Sequence, residues 1–473
     1  MTAPSASHAA AHTGAAVARA GGLARQLGLV SLVALVIGEV IAVGIFLTPA
    51  GMAKALGSPV WLLGVWIVMG AMALCGAWCY GELAAGYPEA GGGYVYLREA
   101  YGPAVAFLYG WKCLLVMDPG VTAALAVGLA TYVGYSLDLS PLGLKAVGIG
   151  GIALLALVNI VGVRIGAGII RWLTALKLVA LALIVILAFA LGRGEWANFS
   201  PLLARRPGSE SLLPALAGGF VGAFFAFGGW WEVSKLAGEA REPGRTVPRA
   251  LALGVVIVTL AYILTSAAFW YLVPVEEVTS GETFAAQAGA ALFGPAGGQV
   301  LAIVVIVSVL GALATLLMAL PRVYFAMARD GLFFRGVGAV SGRFGTPARA
   351  ILIQATLASV LVAIGTFEEI LAYFIFVTVV FISLTVAGVY VIRRRERARD
   401  GRDAPGPAAL PAEPVSGGPV FRTPGYPVTP AVFLALAAVL LFLLAAGNPI
   451  AAVLGIGVVA LGWPVYRLLF RGP

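Results

Sequence analysis

Six charged side chains stand inside or at the edge of long apolar stretches: Glu39, Glu82, Lys112, Asp118, Lys177 and Glu232. A charge in a lipid interior is costly, so each must face a partner, the interior of a helix bundle or water. Lys177 is the deepest, in the run Thr174-Ala175-Leu176-Lys177-Leu178-Val179. A buried ammonium either pairs or gives up its proton. Three roles are open to it: bracing helices 1 and 8 in place of a sodium ion, cycling protons, or standing as a fixed structural cation. Glu39 lies five residues before Gly44. It is suited to take a coupling proton, to pair with Lys177, to hold a cationic substrate, or simply to face water at the mouth. Asp118 precedes Pro119-Gly120 at an expected kink and is a candidate cavity residue. Lys112 is six positions away, which is not a helical pairing distance. Glu82 and Glu232 are expected at interfacial helix ends.

Two glycine-rich interruptions give these charges a context. One is Ile37-Gly38-Glu39-Val40-Ile41-Ala42-Val43-Gly44-Ile45-Phe46, followed by Pro49 and Gly51. The other is Phe224-Phe225-Ala226-Phe227-Gly228-Gly229-Trp230-Trp231. Membrane interiors accept non-helical backbone only where it is buried in protein or lines a cavity. A lone glycine site is explained by tight helix packing. Two sites at corresponding places in two halves of a chain predict broken helices, whose half-helix N-termini face an anionic group and whose freed carbonyls face a cation. A zwitterionic amino acid carries both.

The elements that must hold these residues follow from composition. The 473 residues are 61% hydrophobic and 11% charged, with a mean hydropathy of +1.00. Soluble domains carry about 25% charged residues, which disfavours a soluble enzyme, a nucleic-acid binder or a disordered chain. At about 20 residues per crossing, twelve spans are expected: 27–54, 58–86, 102–136, 143–162, 167–192, 213–238, 248–273, 297–327, 348–366, 369–392, 429–446 and 449–470. The longest of them imply tilt or internal breaks. Residues 1–26 read as a disordered cytoplasmic tail rather than a cleaved signal. With that end inside, 23 Lys and Arg fall on the cytoplasmic side and five outside, which supports the orientation. The net charge of +9 is therefore a topology signal and implies no nucleic-acid partner. The run Arg393–Arg402 and the Pro/Gly-rich stretch to 428 form an expected loop between ten spans and a final pair.

Histidine chemistry is absent from the spans, because both histidines lie in the first twelve residues. No Walker A loop is present. Cys75, Cys79 and Cys113 form no disulfide framework, and no metal site or cofactor is expected.

The chain resembles the amino acid–polyamine–organocation transporters, and among them bacterial relatives of the L-type amino acid transporters. Ile41-Ala42-Val43-Gly44-Ile45-Phe46 with Thr48-Pro49 is similar to the family's helix 1 break. Gly57-Ser58-Pro59 with Trp66, then Tyr80-Gly81-Glu82-Leu83 and Gly91-Gly92-Gly93-Tyr94-Val95-Tyr96-Leu97, resemble its helix 2 and following loop. Lys177-Leu178 resembles the helix 5 lysine, and Phe225-Ala226-Phe227-Gly228-Gly229-Trp230 the helix 6 break. Glu239, Pro243, Pro248 and Arg249 resemble the loop after helix 6. Arg322, Tyr324, Met327, Ala328, Arg329, Asp330 and Gly331 resemble the run after helix 8.

The resemblance implies an all-α, twelve-helix, five-plus-five inverted-repeat (LeuT-like) fold. Its repeats would be 27–192 and 213–392, followed by a loop at 393–428 and two extra helices within 429–473. It implies a substrate carboxylate on the amides of Val43, Gly44 and Ile45. The amine would sit on carbonyls of Ile41, Phe225, Ala226 and Phe227, with Ala42 and Gly228 completing the breaks. Phe227 would be the gate aromatic, with Trp230 beside it, and Lys177 would occupy the sodium-site position. Ala42, Val43 and Phe227 replace the family's usual Gly, Ser and Tyr, and Glu39 is an acid where a neutral residue is usual. These departures point to a smaller, more apolar or cationic substrate. Residues 137–143 contain no cysteine, so no disulfide-linked heavy chain is implied. The expected function is secondary amino acid transport across the plasma (inner) membrane, by sodium-independent exchange or with protons. A polyamine or other organic cation transporter, and a transporter-fold sensor without flux, are the alternatives.

Overall fold

The computed structural model describes residues 25–470 apart from 26, 43, 90, 162–166, 278–283, 338, 340, 342–345 and 401–420. The expected tail 1–26 thus lies outside the described residues except for Arg25, as do Val43 and most of the loop before the last two helices. Among the described residues the chain is helical, and β geometry is confined to one bridge between Leu27 and Ala240.

Helices α1 (Leu29–Val40) and α2 (Gly44–Leu56) form one broken span with a bend of 45°. Helix α3 is Pro59–Gly86, α4 is Gly93–Tyr101 and α5 is Pro103–Lys112. A π-helical turn over Cys113–Met117 joins α5 to α6 (Asp118–Ser136), which precedes α7 (Pro141–Val161) and α8 (Ala167–Ala190). Helix α9 is Leu212–Phe227 and α10 is Pro243–Leu272. The remainder comprises α11 (Phe284–Phe293), α12 (Pro295–Ala319), α13 (Pro321–Arg329), α14 (Ala348–Ile364), α15 (Phe367–Asp400), α16 (Val428–Gly447) and α17 (Pro449–Leu469). Nine of the described helices or continuous helical stretches are long and apolar enough to cross a membrane, and the bent pair makes a tenth. Two shorter apolar stretches, Ala175–Ala190 and Ala348–Ile364, stand at the fifth and ninth expected positions.

Proline marks where helices begin. Pro59, Pro103, Pro243, Pro295, Pro321 and Pro449 all sit in a first turn, where the missing N–H is one of the helix's orphans anyway. Pro119 shows the same logic inside a span. The expected kink at 118–120 is a π turn that ends just before Asp118. Pro119 has no N–H for the Leu115 carbonyl, and the Tyr373 hydroxyl donates to that oxygen instead, at 3.2 Å.

Small residues let the spans approach closely. A Cβ on Gly70 would lie 2.4 Å from Thr259, and one on Gly254 would lie 2.5 Å from Val36. Helix α10 thereby seats against both α3 and α1.

The charged end of the bundle is tied by two polar clusters. Glu82 was expected at an interface, but it is 6% exposed. It accepts from Arg393 through both oxygens at 2.7 Å, from the Thr423 N–H at 2.7 Å and from Arg422 at 3.3 Å. This clamp joins α3, α15 and the segment before α16. Removing one partner of a buried pair strands the other charge. Glu82→Gln is expected to cost about 3 kcal/mol, read as a lowered thermal unfolding midpoint in detergent, with Glu82→Asp partly restoring it. In the second cluster Arg98 of α4 binds Glu89 and Glu99 at 3.0 Å and Asp330 at 2.8 Å. Tyr94 donates to Asp330 at 2.7 Å. Burial opposes the Arg98 charge, but these carboxylates outweigh it and hold its pKa above the ordinary value. Burial and then Asp330 push the Tyr94 phenol up as well.

Candidate functional site

The two breaks face one another in the middle of the bundle. Where α1 ends, the Ile41 N–H still reaches back to Ile37. The Ala42 N–H, by contrast, turns to the Val40 carbonyl at 2.9 Å and abandons the helical bond to Gly38. The released Gly38 carbonyl receives the Lys177 ammonium at 3.2 Å. The Ala42 carbonyl receives the Ser308 hydroxyl of α12 at 3.1 Å. Helix α2 restarts at Gly44, so its first N–H groups lack intrahelical partners and give the break a positive end.

Helix α9 stops at Phe227. Gly228 leaves helical geometry at φ −54° and ψ 143°, and Gly229 has φ +103°, a value glycine adopts without strain. The chain then continues as a 3-10 segment, Glu232–Glu239. Of the carbonyls expected to hold an amine, that of Phe225 accepts the Gly228 N–H at 3.0 Å, and that of Ala226 accepts the Tyr262 hydroxyl at 2.7 Å. The same hydroxyl lies 2.9 Å from the Val40 carbonyl. Tyr262 therefore stitches one break to the other, with a single proton shared between two acceptors. Removing it takes a buried donor from the Ala226 carbonyl, while Val40 keeps the Ala42 N–H, so Tyr262→Phe is expected to cost about 1–3 kcal/mol, measured by thermal unfolding of the purified protein.

The breaks touch through their backbones. A Cβ on Gly44 would lie 2.4 Å from the Ala226 Cα. Beside this contact is a cavity. Glu39, Ala42, Gly44, Phe225 and Gly228 line it. Ile41, Ile45, Ala226 and Phe227 are buried next to it without forming its wall. Phe227 packs on Trp66 and Tyr262, at 6.0 and 5.2 Å between ring centroids. With Trp230, Phe224 and Trp231 it also borders a second, small apolar cavity. Lys177 is buried at 4% exposure behind α1, and its hydrogen bond goes to Gly38 rather than to the Glu39 carboxylate. Asp118 is fully buried and accepts from the Tyr324 hydroxyl; it is not part of the cavity wall.

The remaining wall is largely apolar: Met117, Val121, Leu125, Leu316, Leu320 and Phe374, with Thr378 as a hydroxyl. Glu232, expected at an interfacial end, lines the cavity at 8% exposure. The break at 228–231 ends the helix early and leaves Glu232 mid-bundle. Lys235, counted among the cytoplasmic charges, is 6% exposed and paired with it. Tyr262 and Ser308 carry no sequence signal, because a hydroxyl in a transmembrane stretch looks like any other.

Comparison with known proteins places this geometry. The amino acid permease family profile matches residues 27–463. The chain belongs to the amino acid permease family. It is 32% identical over 385 residues to the serine/threonine exchanger SteT of Bacillus subtilis (strain 168), covering 80% of this chain and 85% of that protein. It is 29% identical over 384 residues to the human b(0,+)-type amino acid transporter 1, covering 80% and 78%. It is 28% identical over 376 residues to the human cystine/glutamate transporter, covering 78% and 74%. The permease is thus a multi-pass membrane transporter and not an enzyme.

Proposed function

We propose that this permease moves amino acids by alternating access, without sodium, across the plasma (inner) membrane. On this reading twelve helices cross the membrane with both termini cytoplasmic, and the inverted repeats 27–192 and 213–392 move against each other around the cavity. The observation that carries it is the meeting of the two breaks at Gly44 and Ala226, with unpaired helix N-terminal amides on one side and backbone carbonyls on the other. A carboxylate suits the amides of Gly44 and Ile45. An ammonium suits the carbonyls of the breaks, since a carbonyl oxygen carries two lone pairs. Val43, expected to share the carboxylate, lies outside the described residues. Sodium independence rests on Lys177 and Ser308, protein donors that already serve the Gly38 and Ala42 oxygens a cation would need.

A second reading, a polyamine or other organic cation as cargo, draws on Glu39 and Glu232: the cavity wall holds two carboxylates and neither Lys nor Arg. A thermal-shift series with L-serine, L-leucine, L-lysine and putrescine separates the two. A ligand at a hundredfold excess over its Kd stabilises the fold by about 2.7 kcal/mol. At least one amino acid is expected to raise the unfolding midpoint, equally in sodium and in choline buffer. A shift with putrescine alone favours the second reading, and a shift that needs sodium contradicts the role given to Lys177.

A further inference from the structure

Beside the cavity lies a group of charges that the transport reading leaves unused. Lys112, Asp118, Glu232 and Lys235 are 1%, 0%, 8% and 6% exposed. Lys112 ends α5, Asp118 opens α6 beyond the π turn, and Glu232 and Lys235 belong to the 3-10 segment after the second break. Lys235 and Glu232 form an ion pair. Asp118 and Lys112 do not find each other. The Asp118 Oδ2 accepts from Tyr324 of α13, while Oδ1 is buried without a partner. Lys112 donates to the Met117 sulfur at 2.8 Å and lies 4.7 Å from the Tyr109 ring centroid and 5.7 Å from that of Phe381.

These surroundings treat the two charges differently. Aromatic faces stabilise a desolvated ammonium, so Lys112 has a berth as a cation. A carboxylate with one oxygen unpaired in a dry interior has a strong reason to take up a proton. The groups facing Asp118 are Tyr324 from α13, Glu232 and Lys235 from the 3-10 segment, and Lys112 from its own span. Cys113 and Tyr109 surround Tyr324, and α15 contributes Tyr373, held on the Leu115 carbonyl. Asp118 thus lies beside the segment that follows the second break. Two neighbours, Met117 and Glu232, are also cavity wall, so a change in cavity hydration reaches the cluster directly.

We propose that Asp118 binds and releases a proton in each transport cycle, with Tyr324 and Lys112 deciding when it is held. The proton comes from water on one side of the membrane while the cluster is hydrated from that side. It stays on the Asp118 carboxyl while the cluster is dry, and it returns to water on the other side when the Lys112 ammonium again stabilises the carboxylate. This assignment rests on the transport reading and moves the coupling proton away from Glu39 and Lys177.

The test uses the full-length protein in liposomes with a trapped pH dye and radiolabelled L-serine, L-leucine and L-lysine. Two fluxes are read: exchange at equal pH, and uptake with acid outside. One pH unit supports up to about tenfold accumulation at one proton per substrate. The wild type is expected to show both fluxes, with lumenal acidification during uptake. Asp118→Asn is expected to keep exchange and lose both the acceleration by acid and the acidification, and Asp118→Glu to restore them. Lys112→Met provides a readout independent of Asp118 substitutions: losing its charge makes the Asp118 proton easier to hold, so the uptake profile should move toward alkaline pH. Acid-driven uptake that survives Asp118→Asn, an unmoved profile in Lys112→Met, or wild-type uptake with acid outside that brings no lumenal acidification overturns the proposal and leaves the transporter reading intact. Wild-type protein that moves none of the three probes removes the transporter reading itself.

Discussion

Gly44→Ala is expected to abolish transport and remove the thermal shift given by substrate. The added methyl would lie 2.4 Å from the Ala226 Cα and 2.8 Å from its Cβ. Those distances are too short for any real contact, and the obstacle is backbone rather than the tip of a flexible side chain. The only relief is to drive the two breaks apart, which removes the facing arrangement of amides and carbonyls. Overpacking of this kind typically costs about 1–3 kcal/mol, which a bundle of this size survives, so the loss should appear in function before it appears in folding. Gly51, on the same helix, is the control: a Cβ there meets nothing within 4 Å. Gly51→Ala should transport like the wild type. Uptake by Gly44→Ala within twofold of wild type would show that the breaks need not touch.

Lys177→Met should reduce transport by about tenfold or more. The break turns the Ala42 N–H away from Gly38, and the lysine supplies the missing donor at 3.2 Å from across the bundle. A hydrogen bond from a charged group contributes about 1.5–3 kcal/mol, which is at least about tenfold in an equilibrium. Methionine keeps the length and apolar contacts of the stem, so the experiment isolates the ammonium. The expected pattern is a large loss of uptake with a modest drop in unfolding midpoint. A variant that transports normally would reduce Lys177 to a structural cation, one of the roles its sequence position left open.

These two positions also show what the sequence makes visible. Glycine sites at corresponding places in two halves of an apolar chain are conspicuous, and both breaks were legible on that ground. A lone lysine in an apolar stretch is conspicuous too. Its acceptor is not, since Gly38 is 139 positions away in the chain and is free only because the helix unwinds. Tyr262 and Ser308 reach Val40 and Ala42 across 222 and 266 positions and are chemically ordinary until the fold aligns them. Glu232 was legible only as a charge near a helix end; its place in the cavity wall and its pairing with Lys235 depend on the turn of the chain at Gly228 and Gly229. The π turn at 113–117 was legible only as a kink, because Pro119 reveals a lost hydrogen bond and not how the backbone absorbs it.

The most direct measurement is flux through purified protein in sodium-free liposomes preloaded with a mixture of unlabelled amino acids. The account predicts saturable uptake of at least one radiolabelled amino acid, unchanged by added sodium and absent from Gly44→Ala vesicles. Uptake no greater than in protein-free liposomes for every amino acid tried, from protein that remains folded, would contradict it.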